Sequence, residues 1–69
     1  MTDSVYKFIE LVGTSEKGWE DAVSRIVSKA AETLRDLRIA EVIKLDVKID
    51  DQKIALYRAR VKLSFKFEK

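Results

Sequence analysis

Residues 19–37, Trp19-Glu20-Asp21-Ala22-Val23-Ser24-Arg25-Ile26-Val27-Ser28-Lys29-Ala30-Ala31-Glu32-Thr33-Leu34-Arg35-Asp36-Leu37, decide the fold. Apolar side chains recur at Trp19, Ala22, Val23, Ile26, Val27, Ala30, Ala31, Leu34 and Leu37, the i, i+3, i+4, i+7 series of one helix face. Glu20, Asp21, Ser24, Arg25, Ser28, Lys29, Glu32, Thr33 and Arg35 occupy the other face, so the helix is wet on one side and must bury the other. The spacing predicts a helix that ends near Arg35, where a cation complements the negative end of the helix dipole. Trp19, the sole tryptophan, falls in phase with the apolar face and is expected in the core.

The flanking stretches supply the surface this helix lies on. Val5 to Val12, Ile39 to Ile49 and Ala55 to Phe67 are rich in β-branched and aromatic residues, and the last two alternate with period two. The predicted order is strand, helix, strand, strand. Gly13 to Gly18 is expected to turn the chain from the first strand into the helix, with Gly18 as N-cap and Glu20 and Asp21 at the positive end of the dipole. Gly13-Thr14-Ser15 lacks the spacing and lysine of a phosphate loop and reads as a capping turn.

On the second strand the odd positions Ile39, Ile43, Leu45, Val47 and Ile49 are apolar, with Glu41 the exception, while Lys44, Asp46 and Lys48 fall on the other face. On the third, Ala55, Tyr57, Ala59, Val61, Leu63, Phe65 and Phe67 alternate with Arg58, Arg60, Lys62, Ser64 and Lys66. Residues directly opposite in an antiparallel pair share a face, so odd must meet odd. A five-residue loop, Asp50 to Ile54, sets Ile49 against Ala55, Val47 against Tyr57 and Asp46 against Arg58. A seven-residue loop keeps parity but sets Lys44 against Arg58, a like-charge pair that costs up to ~1 kcal/mol. Asp50-Asp51 reads as a turn signal before it reads as a ligand pair. The third strand is the longest and is expected in the middle of the sheet. The first strand is apolar on both parities, Val5, Ile9 and Leu11 against Tyr6, Phe8 and Val12, so its second face calls for cover that one helix cannot give.

Size and composition narrow the function. A chain of 69 residues buries only ~60% of the surface its unfolded form exposes. Small domains offset that deficit with disulfides, a structural metal or self-association. With no cysteine and no histidine, self-association is the route left. The same absences remove a thiolate nucleophile, an imidazole base, a Ser/His/Asp triad and the usual zinc patterns. No enzyme is expected, since Glu10 and Glu41 are the only conceivable acid–base pair and neither has a visible partner. Fourteen basic residues against 12 acidic give a net charge of +2, too little to indicate nucleic acid or an anionic membrane. The basic face Arg58, Arg60, Lys62 and Lys66 lacks the interleaved aromatics of a single-strand binder, so nucleic-acid binding ranks low. No run reaches the ~20 apolar residues of a membrane span, and Met1 to Ser4 have no signal-peptide character. The expectation is a cytoplasmic protein.

Val5-Tyr6-Lys7, Gly13-Thr14-Ser15, Leu34-Arg35-Asp36-Leu37-Arg38 and the stretch from Tyr57-Arg58 to Phe65, in this order and spacing, resemble the dodecins, a family of small prokaryotic proteins. The likeness covers residues 5 to 67. It implies an α+β fold, β-α-β-β, with a three-stranded antiparallel sheet wrapped around one amphipathic helix. Residues 1–69 are expected to form a single domain, with 1–4 as a flexible tail. It also implies a homo-oligomer, a hollow shell of twelve copies.

In flavin-binding dodecins a tryptophan opens the second strand and sandwiches flavins with its symmetry mate. Ile39 stands at the matching position. A family glutamine that hydrogen-bonds the flavin ring is matched by Arg58, and an acidic position by Lys44. Ring stacking on an aromatic side chain contributes ~1 to 3 kcal/mol per ring, so losing two walls weakens flavin by about two to four orders of magnitude. The resemblance therefore implies a flavin site lost and remodelled for an ion or a small anion, with Ile39, Lys44, Asp46 and Arg58 as its ligand-binding positions. Retained riboflavin or FMN binding is the alternative. A calcium-binding subgroup carries an aliphatic residue in place of the tryptophan and a Tyr-Arg pair on the last strand. Arg38-Ile39-Ala40 with Tyr57-Arg58 resembles it. Calcium takes six to eight oxygens, and Glu10, Glu41 and Asp46 are the carboxylates that symmetry mates would have to gather at an axis.

Overall fold

The computed structural model describes residues 5–66; Met1 to Ser4 and Phe67, named above, lie outside the described residues. Strand β1 (Tyr6–Ser15), helix α1 (Trp19–Ala31), strand β2 (Leu37–Asp50) and strand β3 (Lys53–Lys66) follow in that order. All pairing is antiparallel and the sheet order is β1-β3-β2. The expected β-α-β-β sheet with the third strand in the centre is what forms.

The helix lies across one face of the sheet through small side chains. Ala22, Ile26 and Ala30 from α1 and Ala59, Val61 and Leu63 from β3 are the buried core. Ile9, Leu11, Val23, Val27, Leu34 and Leu37 pack around them. Gly13 is what lets the layers approach. A Cβ there would run into the Ile26 side chain and come within 3.1 Å of the Ala22 carbonyl. Gly13 therefore belongs to β1 and not to the turn, which is confined to 16–18. Ser15, at the end of the strand, is buried. Its hydroxyl accepts from Lys17 N at 2.9 Å and donates to Asp21 Oδ2 at 2.6 Å. Asp21 also accepts from Arg25 Nε at 2.7 Å. The Ser15 hydrogen bond and the Arg25 guanidinium together hold the Asp21 carboxyl below its usual range.

The helix stops earlier than its apolar periodicity. It ends at Ala31, with Leu34 N donating to Ala30 O at 2.8 Å, and Asp36 turns the chain with φ 59. Leu34 and Leu37 reach the same core from the connector and from β2, which is why they continued the helical pattern. Lys29, not Arg35, is the basic residue of the last turn.

The hairpin also differs from expectation in its detail. Asp46 lies opposite Arg58 and Val47 opposite Tyr57, but Asp50 pairs with Lys53, so the loop is Asp51-Gln52 alone. Both residues have positive φ, 53 and 65, the conformation of the two-residue turn that matches strand twist. A bulge at Ala55, between the Ile49–Ile54 and Lys48–Leu56 pairs, restores the parity that a five-residue loop was expected to supply.

A second bulge skips Ile43, between the Val42–Val61 and Lys44–Arg60 pairs, and it inverts the first half of β2. Leu45 and Val47 keep the helix side, opposite Ala59 and Tyr57. Before the bulge it is Ala40 and Val42 that share the side of Leu63 and Val61, so Ile39 and Glu41 stand on the face away from the helix. Glu41 is therefore no exception to its face, and Ile39 lies on the face opposite to the one its parity predicts.

Gly13→Ala is expected to lower the urea midpoint, with unchanged slope, by the equivalent of ~1 to 3 kcal/mol, the usual cost of overpacking. The backbone of Gly13 suits alanine, as no glycine has positive φ, so an unchanged midpoint would refute the close-approach role.

Candidate functional site

The face of the sheet turned away from α1 carries the even positions of β1 and β3 and, from β2, Ile39, Glu41, Lys44, Asp46 and Lys48. In its lower half Val12, Lys44, Asp46, Arg58, Ala59 and Arg60 line a depression of about 80 Å³. The cross-strand register builds it: Lys44 faces Arg60, Asp46 faces Arg58, and Val12 faces Arg60 from the other side. Arg58 donates from Nε to Asp46 Oδ1 at 2.7 Å and from Nη2 to Oδ2 at 2.9 Å, so both carboxylate oxygens are engaged in a planar fork. This hydrogen-bonded guanidinium, ahead of the charges of Lys44 and Arg60, holds the Asp46 carboxyl below the usual carboxylate range and raises Arg58 in turn.

Three cations and one carboxylate therefore share the depression, and the carboxylate is already paired. Lys44 and Arg60 have no ion-pair partner among the described residues. Such a lining attracts an anion and repels a divalent cation. Its volume equals the liquid share of two or three waters, at ~30 Å³ each, whereas organic ligands occupy pockets of ~300 Å³ or more. Within a single chain this depression has room for a phosphate-sized group.

The predicted ligand positions are only partly brought together. Lys44, Asp46 and Arg58 meet in this depression. Ile39 pairs with Ser64, six residues along β3 from Arg58, which is ~20 Å of strand, and it is 66% exposed. The carboxylates are also apart. Glu10 and Glu41 both lie opposite Lys62, one from each edge strand, with that lysine between them and its Nζ 4.5 Å from the centre of the Phe8 ring. Asp46 is four β3 positions farther along. Among the described residues no three acidic side chains are placed to hold a metal ion, and no helix is long and apolar enough to cross a membrane.

Arg60, on the basic face of the third strand, lines the depression beside Lys44 and Arg58 as its charge and parity lead one to expect. Val12 was missed by sequence reasoning, because it becomes a lining residue only once β1 is registered against β3, a pairing that the even positions of β1 would have allowed. Trp19 lies not in the core but at its end, 38% exposed. Its ring meets Tyr57 edge-on, centroids 5.3 Å apart, and its Nε1 donates to the Asp46 carbonyl at 3.0 Å.

The dodecin family model matches residues 5–68. The chain belongs to the dodecin family. Its relatives include the calcium dodecin of Mycobacterium tuberculosis, 40% identical over 63 residues, 91% of this chain and 89% of that protein. The Thermus thermophilus dodecin is 38% identical over 64 residues, 93% of either chain. Among solved structures, dodecin from Streptomyces coelicolor superposes with a TM-score of 0.94 at 36% identity, covering 100% of this chain and 99% of its own. The structure of the calcium-chelating M. tuberculosis protein, with what is described as a novel calcium-binding site, gives 0.82 at 41% identity over 94% and 93% of the two chains.

The fork makes an acid-sensitivity prediction. A carboxyl whose folded value is depressed contributes stability that is present above its unfolded value, about 4, and is lost as pH falls through the lower folded value. Asp46→Asn is expected to be less stable than the parent at neutral pH, and the gap should close as pH drops below about 4 in paired denaturant titrations. A gap independent of pH would show that the carboxylate charge contributes nothing.

Proposed function

We propose that this dodecin is a non-catalytic, homo-oligomeric binding or buffering protein whose former flavin position now takes a small anion. The cationic depression of Lys44, Arg58 and Arg60 around a paired Asp46 carries this reading. Arg58 presents a planar donor set already oriented by Asp46, and Lys44 and Arg60 add unsatisfied charge on either side. Loss of the flavin is supported by Ile39, an aliphatic residue out of reach of the cations in its own chain. Self-association into a shell of twelve copies is supported by the family resemblance and by the apolar side chains the sheet leaves open, among them Tyr6, Phe8, Val12 and Ile39. A pocket that joins Ile39 to Arg58 then requires neighbouring subunits.

Calcium is the second reading, favoured by the 40% identical calcium dodecin. In this chain it belongs with Glu10 and Glu41, gathered with their symmetry mates away from the cationic depression; Asp46, expected from the sequence to join them, lies inside that depression with both oxygens held by Arg58.

Calorimetric titration of the assembled protein with inorganic pyrophosphate, Ca²⁺ and FMN separates the readings. The expected result is pyrophosphate binding that weakens with salt and drops about tenfold or more in Arg60→Ala, since a charge-assisted hydrogen bond contributes ~1.5 to 3 kcal/mol. Heat with Ca²⁺ alone would replace the anion reading by the calcium one. Submicromolar FMN binding with quenched flavin fluorescence would overturn both. Native mass spectrometry at micromolar concentration is expected to show the dodecamer; monomer or dimer alone would remove the shell. Restoring the aromatic wall and the amide, Ile39→Trp with Arg58→Gln, is expected to bring flavin quenching back.

A further inference from the structure

Trp19 and the Arg58–Asp46 fork are on opposite sides of the sheet, yet they share one backbone row. From the helix side the indole donates to the Asp46 carbonyl at 3.0 Å and packs edge-on against Tyr57 at 5.3 Å and 82°. Asp46 and Arg58 face each other across β2 and β3, with Val47 and Tyr57 as the next pair. Trp19 thus touches the main chain that carries one half of the fork and the residue that precedes the other half.

Position makes this contact matter. The Asp46–Arg58 row lies three positions along β2 from the bulge at Ile43 and three along β3 from the bulge at Ala55, and β2 is an edge strand. A row between two bulges has an interrupted ladder on each side. The buried core of Ala22, Ile26, Ala30, Ala59, Val61 and Leu63 does not include Asp46 or Tyr57. The indole ties the row to the helix.

We propose that Trp19 is a positioning residue for the ligand site: by anchoring the Asp46–Tyr57 row from the helix side, it fixes the Asp46 carboxylate so that the fork presents Arg58 to an anion on the opposite face. The substrate class rests on the anion reading above; the positioning role does not. The charged groups around Asp46 are Lys44 from its own strand and Arg58 and Arg60 from β3, while β1 contributes uncharged Val12 and Thr14 opposite Arg60 and Arg58. The helix presents no charge to the carboxylate, so Trp19 acts on Asp46 by placement alone.

The test is carbon-detected NMR titration of the carboxyl groups in Trp19→Phe, which keeps a ring against Tyr57 and removes the N–H donor. Asp21, held by Ser15 and Arg25 at the start of the same helix, is the internal control. The expected result is that the Asp46 midpoint moves up toward the ordinary carboxylate value, Asp21 stays where it was, and pyrophosphate binds about three- to tenfold more weakly, the effect of one hydrogen bond. An unmoved Asp46 overturns the proposal and leaves Trp19 as packing. Movement of both carboxyls also overturns it, because the whole helix would then have loosened. If the parent protein does not bind pyrophosphate, the anion reading fails and the Asp46 titration still decides the positioning role. Should Trp19→Phe not fold, benzothienylalanine at position 19, which keeps the indole shape without the N–H, makes the same comparison.

Discussion

One helix of 13 residues has to cover strands of 14. At 1.5 Å per helical residue it is ~20 Å long, while a 14-residue strand reaches ~46 Å, and the folded chain measures 55 × 20 × 14 Å. The helix can therefore dress only the middle of one sheet face, and every other property of the molecule follows from how that limited cover is placed. It is spent on β3, whose Ala59, Val61 and Leu63 are fully buried, while β2 keeps Val42, Ile43, Leu45 and Ile49 substantially exposed. The close approach at Gly13 brings the two layers near enough for alanines to make the contact.

What the helix leaves open is the other face of the sheet. The far face mixes apolar Tyr6, Phe8, Val12 and Ile39 with a line of cations, and the charged end is organised by a single bidentate pair between Asp46 and Arg58. An exposed ion pair contributes little to stability on its own. Its effect is geometric: it uses the one carboxylate in the depression and leaves Lys44 and Arg60 as uncompensated charge. The indole of Trp19 reaches the same row from beneath, so the protein's two faces are joined through one residue's carbonyl and carboxylate.

The elements and their pairing were legible in the sequence because each rests on a periodicity that packing rewards. Helix-face spacing gave α1, alternation gave β2 and β3, and the pairing of acid against base at Asp46 and Arg58 followed from parity. The misreadings come from places where the chain keeps a pattern while changing its structure. Leu34 and Leu37 continue the helical spacing from a connector and a strand because they drop into the same core. Gly13 looked like a turn, since the need for a missing Cβ against Ile26 is a tertiary fact that no local stretch carries. The bulge at Ile43 preserves alternation on both sides of itself, and its one trace in the sequence was Glu41 at a position expected to be dry. Ile39 was misplaced for the same reason.

That bulge has a consequence beyond register. By absorbing one residue it separates the 39–42 stretch of β2 from the 44–50 stretch, so their facing rules are independent, with Lys44 and Asp46 in one and Ile39 and Glu41 in the other. A substitution in either segment is judged by its own neighbours, so the cation-bearing end can be rewritten without changing what the other end shows to its surroundings. The strand is continuous as a chain and modular in its facing, so one end of the far face of a 69-residue protein can change its side chains while the architecture stays.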